Sequence, residues 1–120
     1  GDMYSNQYHT DADLKILKRI NESLARSLGY LRSRKELMDY GVQECSSEHG
    51  IMGATQAAFV IPKARDALDR TFSGAYGENR ISEYTYDTIK REIDEIEDYA
   101  FLYSELFSDH CKCKRKYSEP

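Results

Sequence analysis

The sequence predicts an all-α protein, an elongated up-down-up three-helix bundle whose middle helix is kinked or broken near Pro62. Three observations lead there. Apolar residues recur at helical rather than strand spacing in three long segments. The 120 residues are 40% hydrophobic and 32% charged with only two prolines, a balance that suits a folded helical chain and not a disordered one. The outer two segments also carry opposite charge.

The first segment runs from Leu14 to Tyr40, with Leu17, Leu24, Leu31 and Met38 seven residues apart and Leu14, Ile20 and Leu28 on intermediate turns of the same stripe. Thr10 with Asp13 resembles a capping box, Asp11 and Asp13 place negative charge at the positive end of the helix dipole, and Gly41 is placed to end the helix. At 1.5 Å per residue this predicts a rod of roughly 40 Å. Gly29 offers a bend or a close approach.

The second segment, Ser46 to Phe72, mixes helix formers (Ala54, Ala57, Ala58, Ala64, Ala67) with Gly50, Gly53 and Pro62. Proline lacks a backbone donor and pushes Ile61 away from helical geometry, so a break is expected there. The small residues Gly50, Gly53, Ala54, Ala57 and Ala58 predict a close approach to another backbone. Gly74 and Gly77 mark the loop from Ser73 to Arg80 as a turn.

The third segment begins at Ser82, an N-cap flanked by the hydrophobic staple Ile81 and Tyr86, and continues to Asp109. Ile89, Ile93, Ile96, Ala100, Tyr103 and Phe107 alternate by four and three, the seam of a helix that packs lengthwise. From Leu14 to Tyr40 there are seven basic and three acidic residues; from Ser82 to Asp109 there are two basic and nine acidic. Helices so charged are suited to flank one another within the monomer or between subunits.

Length implies a single domain over residues 1–120, with 1–10 and 114–120 as flexible tails. No apolar run approaches the ~20 residues of a bilayer span, and the N-terminal residues lack signal-peptide character, so a cytoplasmic protein with no membrane partner is expected. The formal charge of -4 gives no global attraction to nucleic acid. Basic clusters at Lys112, Lys114, Arg115 and Lys116, and at Arg26, Arg32, Arg34 and Lys35, leave such contact conceivable but not favoured.

The odd number of cysteines fits a reducing compartment. In an up-down-up bundle, Cys45 and His49 at the start of the second helix share a pole with His110, Cys111 and Cys113 at the end of the third. Thiolate and imidazole are the ligands zinc prefers, and four of these five would complete a tetrahedral site. The spacing matches no zinc finger. The plainer expectation is no cofactor, with Cys45 a small buried hydrophobe and the other two cysteines exposed thiols in a tail.

Ten tyrosines and no tryptophan supply rings that bury while keeping a hydroxyl at the edge, as in cores and protein interfaces. Tyr30, Tyr84, Tyr99 and Tyr103 are the candidates for partner contact. No G-x-S-x-G, P-loop, H-E-x-x-H or di-iron Glu-x-x-His motif is present, so no enzyme is expected. The expected function is that of a small adaptor, inhibitor or regulator that binds another protein through a helical, tyrosine-rich face and also self-associates. The alternative is a metal- or redox-responsive regulator built on the Cys/His cluster, with a basic surface that meets nucleic acid.

Overall fold

Four helices form, not three, because Asn21 divides the first predicted rod. The computed structural model describes residues 11–74 and 81–118, with side chains over 12–74 and 81–103. It contains α1 (Asp11–Ile20), α2 (Glu22–Gln43), α3 (Ser47–Ser73) and α4 (Glu83–Ser118) and is all-helical over the described residues. Thr10, the expected first cap, lies outside them.

At Asn21 the backbone is extended (φ -155°, ψ 103°), and the side chain accepts a hydrogen bond from the Leu24 amide at 3.1 Å, capping α2. The bend is sharp. Leu14 and Gly29 would stand ~22 Å apart on a straight helix, yet a Cβ on Gly29 would lie 3.7 Å from Leu14 Cδ1, so α1 folds back along α2. Leu17, Leu24, Leu31 and Met38 are all buried as the stripe requires. The stripe is right; the rod is bent.

Gly41 does not end α2 but lies buried inside it, two residues before Gln43. The end is set instead by Cys45 in the left-handed region (φ 51°). Its amide donates to the Val42 carbonyl at 3.2 Å and the Ser46 amide to the Gly41 carbonyl at 2.7 Å, the two bonds of a Schellman motif. Ser46 then caps α3 at once, its Oγ accepting from the His49 amide at 3.5 Å. Three residues therefore reverse the chain.

The expected break at Pro62 is absent, and α3 is continuous from Ser47 to Ser73 with Pro62 inside it. Pro62 faces outward while Ile61 and Ala64 beside it are buried, so packing of the inner face holds the helix through the missing hydrogen bond. Gly74, left-handed at φ 81°, caps the C-terminus and donates its amide to the Arg70 carbonyl. Residues 75–80 of the expected turn lie outside the described residues.

In α4, Ser82 caps as expected, its Oγ accepting from the Thr85 amide at 3.2 Å, with Ile81 buried and Tyr86 against the core. The helix runs nine residues past Asp109, to Ser118. Ile89, Ile93, Ile96, Ala100 and Tyr103 are buried; the Phe107 side chain lies outside the described set.

Pairings fix the directions. Gly41 meets Gly50, Arg34 meets Gln56 and Asn21 meets Ala67 and Thr71, so α2 and α3 are antiparallel. Tyr103 meets Ser46, Arg65 meets Asp94 and Tyr86 meets Asp69, so α3 and α4 are antiparallel too. The core lies between these three helices, with Leu17 of α1 joining it, in a molecule 62 × 32 × 18 Å across.

The complementary charge acts within the monomer. Arg32 on α2 holds Glu92 on α4 with Nε–Oε2 at 2.6 Å and Nη2–Oε1 at 3.0 Å, a bidentate pair with Glu92 only 4% exposed. Arg65 on α3 adds contacts to Asp94 at 2.7 Å and Glu97 at 2.6 Å.

Candidate functional site

The α2–α3 corner, with Cys45 and His49, is the pole at which the sequence predicts a gathering of sulfur and imidazole. Cys45 is half-buried in the turn itself. His49 turns inward: its Nδ1 is 2.8 Å from Ser46 Oγ, and its ring meets the Tyr40 ring edge-on at 5.1 Å. The corner is closed by Tyr103, whose hydroxyl donates to the Ser46 carbonyl at 2.9 Å. α4 therefore reaches this pole at Tyr103 and continues as a helix beyond it. The side chains of His110, Cys111 and Cys113 lie outside the described residues. Among the described residues no three His, Cys, Asp or Glu side chains are placed to hold a metal ion.

The four tyrosines separate into two pairs. Tyr103 is 3% exposed and belongs to the core. Tyr99 packs against that core with the Lys35 ammonium 5.2 Å from its ring centre, and burial together with its hydrogen bond to Asp39 pushes its hydroxyl pKa up to about 12. Tyr84 is 80% exposed. Tyr30 is partly exposed, with the Arg34 guanidinium stacked 4.7 Å from its ring centre. Only Tyr30 and Tyr84 of the four offer open surface.

The basic cluster on α2 is engaged within the chain. Arg26 pairs with Glu22, Arg32 with Glu92 and Lys35 with Asp39, while Arg34 hydrogen-bonds Gln56.

The larger open apolar surface is on α3, for which the sequence predicts a close approach and a break. From Gly50 to Pro62 the chain carries no charged residue. The inner arc, Gly50, Gly53, Ala54, Ala57 and Ile61, is buried. The outer arc, Ile51, Met52, Thr55, Ala58, Phe59 and Pro62, is exposed, and Phe59 is 74% so. A helix apolar on all sides is ordinarily covered on all sides. Beside this arc, Ala54, Ala58, Ile61 and Pro62 face Ala100 and Phe101 of α4 across a groove of about 270 Å³, with Glu97 at its rim. Phe101 is 64% exposed. The missing charge over thirteen residues was the available signal for this surface.

Comparison with known proteins yields no matching family model, no curated relative and no similar solved structure. What the geometry defines is an all-helical protein with an uncovered apolar groove between two antiparallel helices. No described helix is long and apolar enough to cross a membrane.

Proposed function

We propose that the protein is a helical protein-interaction module whose groove between α3 and α4 receives an amphipathic helix of a protein partner. The observation that carries this reading is the groove itself, lined by the small residues Ala54, Ala58 and Ala100 together with Ile61 and the exposed Pro62 and Phe101. Small residues let a second helix approach, and a large apolar anchor fits a volume of this size. Charge complementarity selects the partner. Between Glu83 and Tyr103, α4 carries seven acidic residues, of which Glu92, Asp94 and Glu97 are paired within the chain; the exposed Glu83, Asp87, Glu95 and Asp98 still outnumber Lys90 and Arg91, so the guest helix is one with lysine or arginine beside its apolar stripe.

The tyrosines take a secondary part, since Tyr99 and Tyr103 serve the monomer's own packing. The test is fluorescence titration with designed helical peptides. A leucine-lysine amphipathic peptide is expected to bind saturably, and Phe101→Asp to weaken it at least tenfold. A scrambled peptide of equal charge and a leucine-glutamate peptide are expected not to bind. Equal binding of the scrambled peptide, or indifference to Phe101→Asp, would refute the reading.

A further inference from the structure

The outer arc of α3 has two sides. One side, with Ala58 and Pro62, borders the groove. The other is a separate stripe, Glu48, Met52, Thr55, Phe59 and Lys63, at successive spacings of four, three, four and four, with all five residues exposed. Such spacing keeps side chains on one line along a helix. The stripe spans sixteen residues, ~22 Å of helix from first to last. Among the described residues no ion pair joins Glu48 or Lys63 to a neighbour, although Arg65, Asp66 and Arg70 on the same helix all form one.

The order of chemistry along the stripe is acidic, apolar, small, apolar, basic. Glu48 and Lys63 share a midpoint with Met52 and Phe59, between Thr55 and Gln56. A helix with that order is complementary to itself when reversed. We propose that α3 pairs with α3 of a second copy of this chain, antiparallel about a two-fold axis at that midpoint. The proposal rests on the reading of α3 as an interaction helix, and names a second occupant on its other side.

In this arrangement Met52 meets the partner's Phe59 on both sides of the axis, a sulfur–aromatic contact made twice. Glu48 meets the partner's Lys63 at both ends, and Thr55 leaves room at the crossing. A two-fold axis makes each contact occur in duplicate, as an isologous interface requires. The parallel alternative would set Glu48 against the partner's Glu48 and Lys63 against the partner's Lys63, so charge selects the antiparallel copy. The stripe is narrower than a standard interface of ~800 Å² per partner. The dimer is therefore weak and its population depends on concentration.

Sedimentation velocity of the full chain over a concentration series reads the outcome. The wild-type chain is expected to shift from monomer to dimer as concentration rises. Phe59→Asp is expected to abolish the shift while leaving helical circular dichroism unchanged, because the side chain is exposed. Lys63→Glu and Glu48→Lys, each alone, place like charges opposite one another twice and are expected to weaken the dimer about threefold to tenfold. The double exchange E48K/K63E restores it. A monomer at every concentration, or single exchanges without effect, would overturn the antiparallel pairing. Phe101→Asp separates this proposal from the groove: it should remove peptide binding and leave the dimer intact. Dimer loss with Phe101→Asp to the same degree as with Phe59→Asp would move self-association to the groove and sink the stripe.

Discussion

The ring of Tyr103 fills the space that a side chain on Gly50 would need: a Cβ there would stand 1.6 Å from the ring's Cζ and hydroxyl oxygen. Gly41 is held to hydrogen by the same contact, since its Cβ would come within 2.6 Å of the Gly50 nitrogen and 2.8 Å of the Tyr103 hydroxyl. Three helices thus converge at one point, and two glycines admit the phenol that bonds the Ser46 carbonyl. In an otherwise unconstrained helix Gly→Ala would stabilise by about 1 kcal/mol. Here overpacking reverses the sign, and Gly50→Ala is expected to destabilise by about 2 kcal/mol or more. Urea denaturation measures it. Combined with Tyr103→Ala, the alanine at position 50 should cost far less than it does alone, because the clash is gone.

Asn21 is the second point at which one residue decides the architecture. Besides capping α2, its Nδ2 donates to Thr71 Oγ1 at 2.5 Å and to the Ala67 carbonyl at 3.3 Å, while Thr71 Oγ1 donates to the same carbonyl at 2.7 Å. Asn21→Ala removes a helix cap and leaves the buried Thr71 without this partner. The expected loss is about 2 to 3 kcal/mol, the sum of a cap and a buried hydrogen bond. Asn21→Asp keeps the cap acceptor but loses the donor, so it should fall between wild type and alanine. An aspartate as stable as asparagine would show that the bonds to Thr71 and Ala67 contribute nothing.

Much of the helical content was legible in the sequence because periodicity reports burial: Leu17, Leu24, Leu31 and Met38, and Ile89 through Tyr103, are core in the structure as the spacing requires. Periodicity says nothing about direction. A seven-residue repeat passes unchanged through the bend at Asn21, and only capping chemistry marks it, with Lys18 and Arg19 ending one helix and Asn21 and Glu22 starting the next. Pro62 misled for the converse reason, since a local preference against helix was outweighed by the buried inner face of α3. Gly41 resembles a terminator in sequence, but its task is close approach, a role that depends on Gly50 and Tyr103, remote in sequence. The exposed outer arc is not legible in the same way, because an apolar residue in a sequence does not reveal whether anything covers it.

Cys45 adopts a conformation that glycine takes without strain and other residues at a cost of about 1 kcal/mol. If its place in the turn is structural, Cys45→Gly should be at least as stable as wild type, with any gain limited to about 1 kcal/mol by the lost side chain and the freer unfolded backbone. Cys45→Val should be destabilised by more than 1 kcal/mol, because a branched side chain is poorly tolerated at positive φ. Thermal denaturation with and without added zinc distinguishes this role from metal ligation. A melting temperature that zinc raises in the wild-type chain and not in Cys45→Gly would assign the thiol to a metal site.

Tyr99 sets a limit on alkaline stability. Burial first, then the hydrogen bond and negative charge of Asp39, hold its hydroxyl near pKa 12 in the folded chain, against an ordinary value of 10. The folded value lies above the unfolded one, so the folded chain keeps a proton that the unfolded chain releases. This contribution is complete below pH 10 and is lost as pH rises from 10 to about 12. Spectrophotometric titration of tyrosinate should therefore show the Tyr99 ring ionising at about 12, above the ordinary tyrosine value of 10. Asp39→Asn should bring that ring part of the way back, since the charge is removed and the burial remains. A return all the way to 10 would make the carboxylate, and not burial, the main cause; no movement would mean that the bond between α2 and α4 is not made in solution.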